Sequence, residues 1–185
     1  MKVLKLIGGI CLVLFFVGGP SSYAPRSYQH AWGLGHILFF SILSYLLLKS
    51  WQRISKKPYF KQCVWVFLVV LLFGIAIELA QLAIHGSTPS VGDLIRNFIG
   101  CLLSFAFFLP SRRNIRIISL RILQFSVLLM LVLEMSPFAK SLIDEAIARK
   151  QFPVLSAFET PYELERWSGG TKISIDHETA RHGKS

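Results

Sequence analysis

The chain has 185 residues, 53% of them hydrophobic and only 16% charged, with a mean hydropathy of +0.54. A water-soluble core of this length cannot enclose so much apolar surface, so the composition excludes an ordinary soluble domain and makes the bilayer the solvent. A formal net charge of +10 would suit nucleic acid if it formed one patch. The cations are instead dispersed among the connections between apolar runs, which argues against a nucleic-acid partner.

Five apolar stretches, roughly 3–17, 31–48, 64–84, 91–109 and 117–135, approach the ~20 residues that cross the hydrocarbon. The sequence predicts an all-α polytopic membrane bundle of about five transmembrane helices, followed by a short extracytoplasmic tail. Lys2 and Lys5 precede the first run. Lys49, Arg53, Lys56, Lys57 and Lys61 fill the second connection, and Arg112, Arg113, Arg116 and Arg121 the fourth, whereas the first and third offer little beyond Arg26. By the positive-inside rule the amino terminus is then cytoplasmic and the carboxyl terminus extracytoplasmic. Lys2, Lys5 and the short first run, with Ser22-Tyr23-Ala24 behind them, also have the form of a secretory signal. Pro25 directly after Ala24 disfavours cleavage, so a retained helix is expected. Cys11, Cys63 and Cys101 lie in or beside apolar runs without paired spacing, which predicts neither a disulfide framework nor a zinc site.

Polar residues interrupt the third and fourth runs, and ionisable groups in hydrocarbon are expensive enough to need a reason. Helical spacing places Gly74, Glu78, Gln81 and His85 in one stripe of the third run. Ala76 and Ala80, on the opposite face, suit close packing against another helix. In the fourth run Asp93, Asn97, Gly100 and Ser104 form a similar stripe, with Arg96 at its edge. The short connection 86–92 requires an antiparallel hairpin, so the two stripes can face each other. At about 1.5 Å per residue, Glu78 lies about 9 Å below the outer end of its helix, Asn97 at a similar depth, and His36 of the second run about 8 Å below the rim. Three helices thus deliver polar groups to one outer third of the bilayer. His36, Gln81, Arg96 and Asn97 are the candidate partners for Glu78.

Beyond Met135 the pattern changes. Ser136 is placed to cap a helix with Pro137 at its first position, and Phe138, Leu142, Ile143, Ala146 and Ile147 then repeat at helical spacing. The resulting division is a transmembrane domain over 1–135, an amphipathic interfacial helix over 136–150 and a polar tail over 151–185. Within the tail, Gly169-Gly170 is a turn signal and 171–175 alternates like a short strand.

At the polar cluster the chain resembles the VanZ-like family of small bacterial membrane proteins, named for a member associated with resistance to the glycopeptide teicoplanin. The resemblance covers roughly 33–104. Its core is Glu78-Leu-Ala-Gln81 followed by Ser87-Thr-Pro-Ser-Val-Gly-Asp93-Leu-Ile-Arg-Asn97-Phe-Ile-Gly100, similar to the family's pattern of acidic-x-x-glutamine, aspartate, asparagine and glycine. His36 matches the family's histidine. Two positions depart from the pattern: the arginine usual shortly before the aspartate is Ser87 here, and the acidic residue often found one turn before the histidine is Trp32. The resemblance implies the bacterial cytoplasmic (inner) membrane and a role at the cell envelope. The tail segments 152–159, 163–167 and 182–185 resemble the opening strands of a carbohydrate-binding jelly roll, cut off before its core.

Three readings of the polar cluster follow. In the first it joins helices through interhelical hydrogen bonds, each worth about 1 kcal/mol. In the second, His36, Glu78, Gln81, Asp93, Arg96 and Asn97 line an outward pocket that binds, or protects against, a glycopeptide or a lipid-linked cell-wall intermediate, with membrane lipids as the other partners. In the third, the protein is an enzyme acting on a lipid-linked envelope intermediate, with His36, Glu78 or Asp93 as catalytic candidates and Arg96 steadying an anionic group. No tight ligand motif such as H-x-x-x-H is present, so no metal or other cofactor is expected. The absence of an internal repeat and of paired broken helices disfavours a transporter.

Overall fold

A computed structural model of the chain describes residues 9–10, 19–20, 24–85, 90–109, 115–152 and 163. The first expected span, 3–17, lies outside the described residues except for Gly9 and Ile10, which are helical. The tail, including the strand expected at 171–175 and the jelly-roll resemblance, lies outside them except for Phe152 and Glu163.

The described residues are almost entirely helical, with no strand among them. In chain order they form α1 (Arg26–Ser50), the single turn α2 (Gln52–Ser55), α3 (Tyr59–His85), α4 (Val91–Leu103), a π-helical turn (Ser104–Phe108) that prolongs α4, and α5 (Ile117–Gln151). Among the described residues four stretches are long and apolar enough to cross a membrane: Arg26–Ser50, Tyr59–Ala83, Val91–Phe108 and Ile117–Gln151. They coincide with the last four of the five expected runs, and the all-α membrane bundle is the observed architecture.

The chain forms two compact units, Met1–Met135 and Ser136–Ser185. In the first, α4 is the central element and packs most extensively against α1, then α3. Glycine makes the α1–α4 approach possible. A Cβ on Gly100 would collide with the backbone carbonyl of Ile37 and come within 3.0 Å of the backbone nitrogen of Ser41, so the two helix backbones touch where a small residue allows it. The core draws Phe39, Phe40 and Leu48 from α1, Val66, Val70 and Ile77 from α3, and Cys101 and Phe105 from the prolonged α4. Leu38, Leu72, Leu79, Ile95 and Phe108 point outward, as a bilayer solvent permits.

Polar contacts fix the helix ends. Gln62, buried in the first turn of α3, donates from Nε2 to the carbonyls of Ser55 at 2.9 Å and Lys57 at 2.7 Å, which holds the elbow between α1 and α3. At the far end of α4, the Tyr59 hydroxyl donates to the Phe105 carbonyl at 3.3 Å and Gln124 Nε2 to the Ala106 carbonyl at 3.1 Å. Two other helices thereby satisfy carbonyls that a helix terminus leaves without a partner, and Pro110 follows as a stop signal.

Two expectations are corrected. No helix starts at Ser136: α5 runs unbroken from Ile117 to Gln151, with Pro137 in its interior. One missing N–H does not break a helix whose other backbone bonds persist, and long membrane helices tolerate it. Ala76 is exposed and Ala80 only half-buried, so the alanine face makes no close helix contact among the described residues, while the Gly74 stripe meets α4 as expected. In the second unit Ser141 and Asp144 are buried, while Leu142, Ile143 and Ile147 are exposed.

Candidate functional site

The hairpin between α3 and α4 is closed by two linked hydrogen bonds. Ser90 stands before α4 with extended backbone, and its Oγ accepts from the Asp93 N–H at 3.3 Å, a helix N-cap with an acidic residue in the first turn. The same residue's backbone N–H donates to Glu78 Oε2 at 2.8 Å. The cap of α4 is therefore bound to a carboxylate two turns inside α3. Glu78 is 5% exposed, and its second oxygen, Oε1, is buried and accepts no hydrogen bond among the described residues.

One turn along α4, Arg96 lies between two carboxylates. Its Nη1 is 2.7 Å from Asp93 Oδ1, and its Nε is 2.9 Å from Glu134 Oε2 of α5. The guanidinium fits against α1 because position 33 is glycine: a Cβ there would stand 3.0 to 3.3 Å from the guanidinium atoms. The next residue, Asn97, is buried and accepts at Oδ1 from His36 Nδ1 at 3.0 Å. Its amide nitrogen lies over Gly74, where a Cβ would come within 2.6 Å. The His36 ring, also buried, stacks on Phe40 at 6.5 Å between centroids.

Glu78 and Asn97 thus both point inward, Asn97 packing on the residue one helical turn before Glu78. Beyond the expected partners, Glu78 accepts from the Ser90 backbone, while His36 pairs with Asn97 and Arg96 with Asp93 and Glu134. Gln81 is half-buried on the turn of α3 after Glu78, and the side chain of His85 lies outside the described residues. Ser104 is buried further along the α4 stripe. The linked set of Glu78, Asp93, Arg96 and Glu134 carries three carboxyl groups and one guanidinium. Arg96 therefore stands in an acidic setting, unlike a residue free to steady an anion. Among the described residues no cluster of three or more metal-ligating side chains occurs.

Glu134, Ser90 and Gly33 are the site residues that sequence reasoning passed over. Glu134 had a signal: it is the sole carboxylate between Ile117 and Ile143, and an acid at that depth demands a partner.

The family model described as VanZ/LLP1 matches residues 10–118. The chain belongs to the VanZ/LLP1 family. No curated protein and no solved structure matches it. The VanZ/LLP1 match spans His36, Glu78, Gln81, Asp93, Arg96 and Asn97 and stops before Glu134. With four described apolar helices of spanning length, this member of the family is a multi-pass membrane protein. Arg96 approaches Gly33 of α1 and draws its second carboxylate from α5.

Proposed function

We propose that this VanZ/LLP1 protein binds a hydroxyl- or amine-bearing group of a glycopeptide or lipid-linked cell-wall intermediate at the Glu78 end of its bundle, and protects the cell envelope by doing so. The observation that carries the reading is the Glu78 carboxylate. One oxygen is fixed by the Ser90 N–H, and the other is buried without a hydrogen-bond donor among the described residues. An acceptor left in that condition costs about 1–3 kcal/mol, more when charged. A ligand hydroxyl, amine or amide N–H that reaches this oxygen recovers that cost, which gives the carboxylate both affinity and selectivity for donors. Asp93, Arg96 and Glu134 keep the surroundings acidic, and the His36–Asn97 pair holds α1 against α4 beside the carboxylate. Under the positive-inside orientation this end faces the extracytoplasmic side of the cytoplasmic membrane, where such ligands are met.

The test is complementation of a null strain with wild type, Glu78→Gln, Asp93→Asn or His36→Ala at matched membrane abundance, scored by survival under teicoplanin and envelope stress. The reading expects protection to fall in all three variants. Full protection by all three overturns it and leaves the polar cluster a purely structural one.

A further inference from the structure

The opposite end of the bundle carries a second combination of features. Between Val64, Phe67 and Leu68 of α3 and Cys101, Leu102 and Phe105 of the prolonged α4 runs a groove of about 390 Å³ with apolar walls. It begins one turn into α3, directly beyond the elbow that holds Arg53, Lys56, Lys57 and Lys61. Lys61 precedes Val64 by three residues and Leu68 by seven, so the three share one face of the helix. Lys57 places its Nζ 5.0 Å from the centre of the Trp65 ring, next to Val64, and Trp65 is exposed as an interfacial aromatic would be. The elbow is rigid because Gln62 holds the carbonyls of Ser55 and Lys57 and Ile54 is buried.

No carboxylate competes for these cations in the sequence around them: residues 1–77 and 94–133 contain no Asp or Glu. The geometry points to a binding site for an anionic phospholipid of the adjacent leaflet, with one acyl chain in the α3–α4 groove and the phosphate held by Lys57 and Lys61. Lysines near the headgroup plane attract anionic lipid, and their aliphatic stems reach that plane while covering apolar surface. The groove accepts hydrocarbon and offers nothing to a headgroup, whereas the elbow offers charge and no apolar slot. A two-part amphiphile fits both. The site is distinct from the Glu78 cluster and does not depend on the ligand proposed there.

The experiment is native mass spectrometry of the full chain in detergent, titrated with phosphatidylglycerol and with phosphatidylethanolamine of identical acyl chains. Wild type is expected to bind phosphatidylglycerol more tightly, with the preference falling about fivefold for each of Lys57→Gln and Lys61→Gln and surviving in Lys57→Arg and Lys61→Arg. Val64→Trp, which fills the groove, is expected to weaken both lipids alike. Equal affinity for the two lipids in wild type, or a preference undiminished by Lys57→Gln with Lys61→Gln, overturns the headgroup assignment. Undiminished binding of both lipids by Val64→Trp overturns the groove.

Discussion

His36 Nδ1 and Asn97 Oδ1, 61 residues apart in sequence, lie 3.0 Å apart in the buried interface between α1 and α4. This bond joins the two helices that pack most extensively, at the level where Gly74 of α3 makes room for the Asn97 amide. A double-mutant cycle of His36→Ala and Asn97→Ala, read by unfolding in mixed micelles, is expected to give a coupling of about 0.6–1.7 kcal/mol, the range of interhelical bonds in membranes. Strict additivity would show that the two side chains act separately.

Two glycines on facing helices should respond differently to the same change. Gly100→Ala drives a methyl into the backbone of Ile37 and Ser41, which cannot yield without parting the helices. It is expected to cost about 1–3 kcal/mol of bundle stability. Gly74→Ala meets the end of the Asn97 side chain, which can rotate away. It should leave stability within about 1 kcal/mol, the value of the bond lost, while reducing protection as strongly as His36→Ala. Thermal or denaturant unfolding alongside the survival assay separates the two outcomes.

The apolar spans were legible because period and length are properties of local sequence. Glu78, Gln81, Asp93 and Asn97 stood out because polar groups in apolar runs are rare. Their pairing was not legible. Whether His36 meets Glu78 or Asn97 depends on the axial offset of α1 against α4, which the contact at Gly100 sets, and no local pattern encodes that offset. Glu134 was legible as a lone acid in an apolar run, but its partner was not, because Arg96 lies 38 residues earlier. Ser136-Pro137 carried a clear helix-start signal, yet the continuity of α5 overrode it.

Along its membrane-spanning part α5 is held by little apolar burial, since only 6% of its spanning window is buried. Two polar links therefore matter disproportionately, Arg96–Glu134 at one end and Gln124 to the Ala106 carbonyl at the other. A nitroxide at the exposed position Leu128 should report modestly increased mobility in Glu134→Gln or Gln124→Leu alone, and a larger increase in the double variant. Unchanged spectra in the double variant would mean that burial of Val127 and its neighbours suffices.

The most direct measurement on the Glu78 site is equilibrium binding of a fluorescent teicoplanin, and separately of an isotope-labelled lipid-linked cell-wall precursor, to purified wild type and Glu78→Gln in the same detergent. Glutamine keeps the size of the side chain but removes its charge, and with it the stronger class of hydrogen bond to a ligand donor. Wild type is expected to bind at least one probe, with an affinity at least about tenfold higher than that of Glu78→Gln. Equal affinity of the two proteins for every probe that binds, or binding of neither probe to wild type, would contradict the assignment.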